Sequence, residues 1–302
     1  MKITPLAFDS LGTRSMCTLV ETNDVKILID PGVALAPNRF GKPPHPKEWE
    51  RMEGQWAGIK NAAKNADVLS LSHYHFDHFN PLEPEVWKEK IAFIKNPAEH
   101  VNKSAVTRAK HFVPSIQPLV KKLVYSDGSG AEFGKTRITF SPAVPHGQDA
   151  KLGYVIMTVV DDGKARFLHT SDVEGPPLDE QTGWIIKQNP DIIFCDGPMC
   201  WMAYRYPPSL TEKSIENLKR IISKTRVSKL ILDHHFMREL KWRDRIAALF
   251  DFANKENKKG RDIQILTAAS FAGEEEDLLE ARRNELYKEF PVKKLRFWEI
   301  GE

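Results

Sequence analysis

The chain has 302 residues, of which 41% are hydrophobic and 28% charged, a balance that excludes the disordered class and allows a large buried core. Its formal net charge of +3 is too small, and its Lys and Arg residues are too dispersed, to indicate a nucleic-acid-binding tail. Large α/β layer folds reach this length as one unit, so we expect a single domain over residues 1–302, with a helical extension at about residues 274–302.

The cysteine content and the N-terminal segment both predict a cytoplasmic protein. Cys17, Cys195 and Cys200 form no C-x-x-C pair and are odd in number, which argues against a disulfide framework or a thiolate zinc site. Asp9 and Arg14 interrupt the N-terminal segment where a signal peptide needs an apolar core. No run of about 18 apolar residues is present, so we expect no membrane contact.

Short apolar runs recur along the chain, and each ends abruptly in polar, glycine or histidine residues. This pattern is typical of buried strands. It predicts strands at residues 26–29, 67–71, 136–140, 165–168, 191–194, 229–232 and 263–266.

Helical patterns lie between these runs. They cover residues 47–65, 97–112, 211–223 (with Ser209 or Thr211 as the cap), 241–254 and 274–290. Alternating strands and helices predict a layered α/β architecture. Ligands and catalytic groups tend to lie in loops at strand ends, and four polar residues occupy such positions: His73, His146, Asp172 and His234.

Four side chains that can bind a metal fall within six residues at 73–78 (HYHFDH). Neutral imidazole suits zinc, and a carboxylate adds neutralising charge. In an extended segment His73 and His75 point the same way, which leaves Asp77 and His78 for a second ion. Because adjacent ionisable groups are costly to bury unpaired, the cluster predicts a metal site rather than a structural strand end.

The segment 73–78, preceded by the strand 68–72 (VLSLS), resembles the H-x-H-x-D-H signature of the metallo-β-lactamase superfamily. The likeness covers most of the chain, because the strand end at 30–32 (DPG), a later His, a strand-end Asp and a final strand-end His follow in the family's order. Residues 8–15 (FDSLGTRS) and 30–37 (DPGVALAP) are most similar to an uncharacterised archaeal branch of predicted hydrolases. The resemblance implies a four-layer αβ/βα sandwich, with two mixed β-sheets flanked by helices.

The resemblance also implies a ligand set for two metal ions. The first ion is assigned to His73, His75 and His146, the second to Asp77, His78 and a late His, with Asp172 as the bridge. We expect zinc, with manganese or iron as alternatives, since di-iron members of the family usually carry Glu in place of His75.

Two adjacent histidines, His234 and His235, compete for the role of the late ligand. Only one should face the metal if side chains alternate at the strand end. We prefer His234, because its spacing to Arg238 resembles the H-x-x-x-R pattern of some phosphodiesterase members.

Three further residues are candidates for supporting the site. Asp30 is interpreted as an acceptor that orients a metal-bound His, although its position before Pro31-Gly32 is also typical of a turn residue. His169 and Asp196 stand at strand ends and are weaker candidates for the same role.

The expected reaction is hydrolysis by a metal-bridging hydroxide, because two divalent ions lower the pKa of bound water from about 15.7 toward about 7. Asp77 is the candidate catalytic residue that orients this hydroxide or accepts its proton. The substrate is expected to be a small-molecule ester, lactone or thioester. The alternative is a phosphodiesterase or nuclease, with phosphate contacts from Lys103, Arg108, Lys110 and Arg238. A metal-stabilised binding protein without turnover is the third hypothesis.

Overall fold

A computed structural model describes residues 1–292, and these residues form fifteen strands. All seven strands predicted from the sequence are present, with bounds that differ by at most one residue. In chain order the strands are β1 (Lys2–Phe8), β2 (Met16–Glu21), β3 (Lys26–Ile29), β4 (Val68–Leu71), β5 (Ile91–Ile94), β6 (Lys122–Tyr125), β7 (Gly130–Phe133), β8 (Thr136–Phe140), β9 (Val144–Pro145), β10 (Tyr154–Val155), β11 (Thr158–Asp161), β12 (Arg166–His169), β13 (Ile192–Cys195), β14 (Lys229–Leu232) and β15 (Gln264–Leu266).

The strands build two large mixed sheets. The first has the order β1-β2-β3-β4-β5-β6 and the second the order β15-β14-β13-β12-β11-β8-β7. Strands β3 to β6 pair in parallel, as do β12 to β15, while the remaining neighbours in both sheets pair antiparallel. Strands β9 and β10 form a separate antiparallel pair. The carboxyl ends of the parallel strands carry the loops in which the sequence places its candidate ligands.

Eight α-helices within residues 1–292 flank the sheets. They are α1 (Pro46–Asn65), α2 (Lys103–Ile116), α3 (Asp179–Gln188), α4 (Pro208–Lys224), α5 (Trp242–Arg245), α6 (Ala247–Asn257), α7 (Ala268–Ala272) and α8 (Arg283–Glu289). No helix within residues 1–292 is both long and apolar enough to cross a membrane.

The core has three apolar layers that follow from side-chain alternation along the strands. Ile27 and Ile29 of β3 pack between the sheets with Phe167 of β12. Leu28, which points to the other face, packs with Ile59 of α1. On the far side of the second sheet, a third cluster joins strands β12 to β14 to α3, α4 and α6 through Leu168, Ile193, Leu230, Ile185, Leu218 and Leu249. The predicted four-layer α/β sandwich is therefore confirmed.

The predicted helix at 274–290 is wrong for its first half. Gly273 ends α7 with a φ of 78°, and residues 274–282 have no helical structure before α8 begins. Ion pairs hold this segment against the domain, among them Arg51–Asp277, Arg243–Glu276 and the bidentate Arg14–Glu280. Tertiary pairing thus overrides the helix-forming composition. The rest of the predicted extension, residues 293–302, lies outside the described residues.

Other predicted helix bounds shift because of local capping. Helix α2 starts only at Lys103, where the Asn102 side chain accepts a hydrogen bond from the Ala105 backbone N–H. Helix α4 begins at Pro208, so neither Ser209 nor Thr211 is its cap. The predicted helix at 241–254 is divided into α5 and α6.

The backbone approaches closely at Gly32, where the loop after β3 packs against the loop after β4. The loop after β4 carries the candidate ligands of residues 73–78 and is called the candidate metal loop below. A Cβ atom at Gly32 would lie 2.1 Å from the Phe79 backbone nitrogen and 2.3 Å from the His78 carbonyl carbon. Neither neighbour can move independently, because both belong to backbone. Only glycine therefore allows the two loops to pack at this distance.

We expect Gly32→Ala to lower the free energy of unfolding by about 3 kcal/mol, measured by urea denaturation, because the added methyl group forces the two loops apart. Gly54→Ala is the matched control. A Cβ there meets nothing within 4 Å, and alanine favours the interior of α1, so stability should rise by about 0.5–1 kcal/mol. Equal stability of Gly32→Ala and the wild type would contradict the packing seen at this position.

Candidate metal centre

The candidate ligands meet at one edge of the sandwich, where parallel strands of both sheets end. His73, His75, Asp77 and His78 follow β4 in the first sheet. Asp172 follows β12 and His234 and His235 follow β14 in the second sheet, while His146 follows β9. Residues that are far apart in sequence are thus brought together because the carboxyl ends of these strands face the same side.

Asp172 lies at the centre of the cluster and is almost completely buried. Its Oδ1 atom lies 3.1 Å from His78 Nε2. Its Oδ2 atom lies 3.2 Å from His146 Nε2 and 3.5 Å from His73 Nε2. The two carboxylate oxygens therefore face imidazoles assigned to different ions, which is the geometry that a bridging ligand needs.

Three overlapping sets of side chains could each hold a metal ion. Within each set, the ligand atoms lie within 4.8 Å of one another. The first set corresponds to the predicted first ion, and the second set to the terminal ligands of the predicted second ion. The third set was not predicted. In order, the sets are His73, His75, His146 and Asp172; Asp77, His78 and His234; and Asp172, His234 and His235.

The two late histidines both direct Nε2 towards Asp172, so the expectation that only one faces the site is not met. The Nε2–Oδ2 distances are 3.6 Å for His234 and 3.7 Å for His235. The reason is backbone geometry: His234 has a φ of 49° and begins a 3-10 turn, so strand alternation stops at Asp233. His234 also lies 3.5 Å from Asp77 Oδ2.

Buried carboxylates hold the far nitrogen of several imidazoles. Asp30 Oδ2 lies 2.8 Å from His78 Nδ1, and Asp30 also accepts hydrogen bonds from the backbone and side chain of Ser72. The Ser72 hydroxyl in turn lies 3.0 Å from His73 Nδ1. Asp30 thus has the orienting contact that the sequence suggested, and its φ of 50° fits the alternative turn role as well.

Two of these supporting carboxylates were missed in the sequence. Asp9 Oδ2 lies 2.7 Å from His234 Nδ1, and its other oxygen accepts a 2.8 Å hydrogen bond from Arg238. Glu174 Oε1 lies 3.4 Å from His146 Nδ1. Asp9 directly follows β1 within the segment that resembles the archaeal branch, and this strand-end position was the available signal.

The weaker sequence candidates separate into two groups. Asp196 Oδ2 lies 2.9 Å from His235 Nδ1, so it supports a residue of the cluster. His169 does not point into the cluster. Its Nε2 lies 2.9 Å from the Met16 carbonyl and its Nδ1 accepts from the Ser171 backbone, so this ring connects the two sheets.

The electrostatic environment combines neutral and cationic imidazoles. Burial lowers the pKa of His73 well below its usual value and that of His75 to about 3, which leaves both rings free to bind a metal at neutral pH. At His146 burial is outweighed by the nearby carboxylates of Asp172 and Glu174, which raise the pKa to about 9. At Asp172 burial is outweighed by His78, His234 and His235, which hold the pKa well below its usual range.

Several of the converging polar atoms are buried and have no hydrogen-bond partner within residues 1–292. They are His73 Nε2, His78 Nε2, both ring nitrogens of His146 and both carboxylate oxygens of Asp172. An unsatisfied buried polar group costs about 1–3 kcal/mol, and more if it is charged. Divalent ions would satisfy these atoms together, so the residues present fit a metal site.

A cavity of about 530 Å³ opens beside the cluster and is lined by His75, Asp77, His146, Asp172 and His235. Of the basic residues predicted to contact phosphate, Arg108 and Arg238 line this cavity. Lys103 and Lys110 do not line it and are exposed on α2. The cavity gives a small molecule direct access to the candidate metal ligands.

Comparison with known proteins agrees with this architecture. A family model described as the metallo-beta-lactamase superfamily matches residues 12–224. The chain belongs to the metallo-β-lactamase superfamily.

Archaeal relatives show to which family within the superfamily the chain belongs. The chain is 42% identical to a UPF0282 protein of Korarchaeum cryptofilum over 308 residues, covering 100% of both chains. It is 42% identical over 297 residues to a UPF0282 protein of Methanocaldococcus jannaschii, covering 95% of this chain and 96% of the relative. The chain thus belongs to the archaeal UPF0282 family, and the predicted resemblance is confirmed.

Among solved structures, unliganded yeast PDE1 aligns with a TM-score of 0.52 and 14% sequence identity, covering 88% of this chain and 96% of that chain. At this identity the likeness concerns the metallo-β-lactamase fold alone.

We expect Asp30→Asn to weaken zinc retention about 10- to 100-fold, because the variant removes the charge that holds His78 and, through Ser72, His73. Competition with a chromogenic chelator measures the affinity. Asp67→Asn is the matched control, since Asp67 is exposed and accepts from the Lys26 backbone at the opposite end of the strands. If Asp30→Asn bound zinc as tightly as the wild type, Asp30 would not orient the metal ligands and would act only as a turn residue.

Proposed function

We propose that the protein is a metal-dependent hydrolase with two divalent ions, preferably zinc. The observation that carries this proposal is the convergence of buried imidazole nitrogens and Asp172 oxygens that lack any other partner. Such a set is unfavourable unless cations compensate it. Imidazole and carboxylate ligands suit zinc, and manganese or iron are alternative occupants.

The ligand assignment follows the three sets of side chains described above. His73, His75 and His146 hold the first ion, and Asp77, His78 and His234 hold the second, with Asp172 shared between them. His234 is assigned rather than His235 because it belongs to the set with Asp77 and His78 and is completely buried. His235 borders the cavity, where Asp196 fixes the orientation of its ring.

Two ions bound in this way supply Lewis acidity and lower the pKa of water toward neutrality. Asp77 lines the cavity, and its carboxylate stays ionised because His78 and His234 outweigh the effect of burial and lower its pKa. The ionised carboxylate is therefore able to accept a hydrogen bond from water and to orient that water beside the substrate. Arg238 Nη2 lies 3.8 Å from Asp77 Oδ2 and holds this carboxylate in position.

A binding protein without turnover is disfavoured by the surroundings of the cluster. A structural zinc ion closes its shell with four protein ligands and needs neither a second ion nor an accessible face. Here the ligands His75, Asp77, His146 and Asp172 all border the cavity.

The size of the cavity, about 530 Å³, fits a small-molecule ester, lactone or thioester. A phosphodiesterase is the second candidate, because the guanidinium groups of Arg108 and Arg238 line the same cavity.

Hydrolysis by the zinc-loaded protein of a lactone, a thioester and bis(p-nitrophenyl) phosphate tests both candidates. We expect metal-dependent cleavage of one class, with about two zinc equivalents bound. The double variant His73→Ala/His75→Ala should lose metal and activity but keep its circular dichroism spectrum. Asp77→Asn should lower turnover by about 10²–10⁴-fold. Absence of turnover on every class by fully loaded protein would contradict the proposal.

The assignment of the late ligand has its own test. We expect His234→Ala to bind about one zinc equivalent, because the second site loses a ligand, whereas His235→Ala should keep about two. Metal analysis after gel filtration measures both. The opposite result would assign His235 to the second ion and His234 to the cavity.

A further inference from the structure

The cavity beside the candidate metal centre is rich in guanidinium groups. Arg14, Arg108, Arg205 and Arg238 line it, while its lining carboxylates are Asp77 and Asp172. Both carboxylates are assigned to metal ions. Pairing of these arginines with carboxylates outside the lining decides which of them remains available to a ligand.

Three of the four arginines are compensated inside the protein. Arg14 forms a bidentate pair with Glu280 at 2.6 Å and 2.7 Å. Arg238 donates to Asp9 at 2.8 Å. Arg205 lies 3.7 Å from Glu174.

Arg108 has no carboxylate within 4.0 Å in the part of the chain that the structure describes. Its guanidinium donates one hydrogen bond of 3.0 Å to the Tyr74 carbonyl and lies 4.7 Å from the centre of the Phe76 ring. Both contacts are to residues of the candidate metal loop. Arg108 is thus held beside the metal ligands with most of its N–H donors unused.

Apolar side chains complete the lining. Leu35, Met199 and Met202 contribute apolar surface. The cavity therefore combines the Arg108 guanidinium, which has no carboxylate within 4.0 Å in residues 1–292, with an apolar wall.

Building on the hydrolase function proposed above, we propose that the substrate is a small molecule with an oxyanion group away from the bond that is cleaved. The group is a carboxylate or a phosphate monoester that pairs with Arg108, while an apolar segment lies against the wall formed by Leu35, Met199 and Met202. The cleaved bond is then at the metal ions, at the other end of the molecule. Arg108 is accordingly a residue that determines specificity.

Dicarboxylates test this without requiring turnover, because one carboxylate contacts the metal ions and the other reaches Arg108. Calorimetric titration of the zinc-loaded protein compares succinate, adipate and suberate with the monocarboxylate of the same chain length. We expect at least one dicarboxylate to bind about tenfold or more tightly than its partner, as a charge-assisted hydrogen bond provides. In Arg108→Gln this preference should disappear while monocarboxylate affinity and metal content stay unchanged.

Two variants control for charge and for structure. Lys110→Gln removes the same charge from an exposed position of the same helix and should keep the full preference. Arg108→Lys keeps the charge but loses the two-pronged geometry, so it should keep part of the preference. The affinity of an ω-phosphonocarboxylate of the same length is compared with that of the dicarboxylate. The ligand that binds more tightly identifies the oxyanion that the site favours.

Equal affinity for dicarboxylates and monocarboxylates, including no measurable binding of either, would overturn the proposal. A preference that persists in Arg108→Gln would overturn it as well. The outcome is separable from the proposed hydrolase function. A protein that shows the Arg108-dependent preference but hydrolyses no substrate retains the anion site and loses the activity. A protein that hydrolyses esters but shows no Arg108-dependent preference for dicarboxylates in the titrations retains the activity and removes the anion site.

Discussion

Six imidazoles surround the buried carboxylate of Asp172, and several of their polar atoms have no hydrogen-bond partner within residues 1–292. The cost of burying these atoms has to be offset by a group other than the side chains of the cluster. Asp172 contacts His78, His146 and His73 at 3.1–3.5 Å, and several of these atoms have no other partner. Removing such groups from water is costly, and pairing each imidazole with Asp172 alone cannot satisfy them all. The arrangement is consistent with a site built for cations, and the surrounding structure serves to keep these side chains converged.

An outer set of carboxylates provides much of this rigidity. Asp9, Asp30 and Asp196 each hold the far nitrogen of a different histidine, and each comes from a different strand end. Glu174 lies 3.4 Å from the far nitrogen of His146. Fixing the far nitrogen sets the ring orientation and raises ligand basicity. Asp9 follows β1 of the first sheet, and His234 follows β14 of the second sheet. The contact between their side chains therefore joins the two sheets.

The C-terminal segment extends this network towards the cavity. Glu280 pairs with Arg14, and the buried Glu48–Arg283 pair anchors α8 against the start of α1. Arg14 is one of the cavity arginines, so residues that are remote from the ligands in sequence determine which cations a substrate meets. The proposed specificity of the site thus depends on internal pairing as much as on the residues that line it.

The sequence alone determined the H-x-H-x-D-H segment, the strand-end positions of His146 and Asp172, and the layered fold, because these features are local and periodic. Tertiary structure decided the remainder. The helix expected at 274–290 is lost in its first half to ion pairs with distant arginines. Both His234 and His235 reach Asp172 because a left-handed residue ends strand alternation. Asp9 and Glu174 became visible only when folding placed them beside histidines, since a contact between distant residues leaves no periodic trace in the chain.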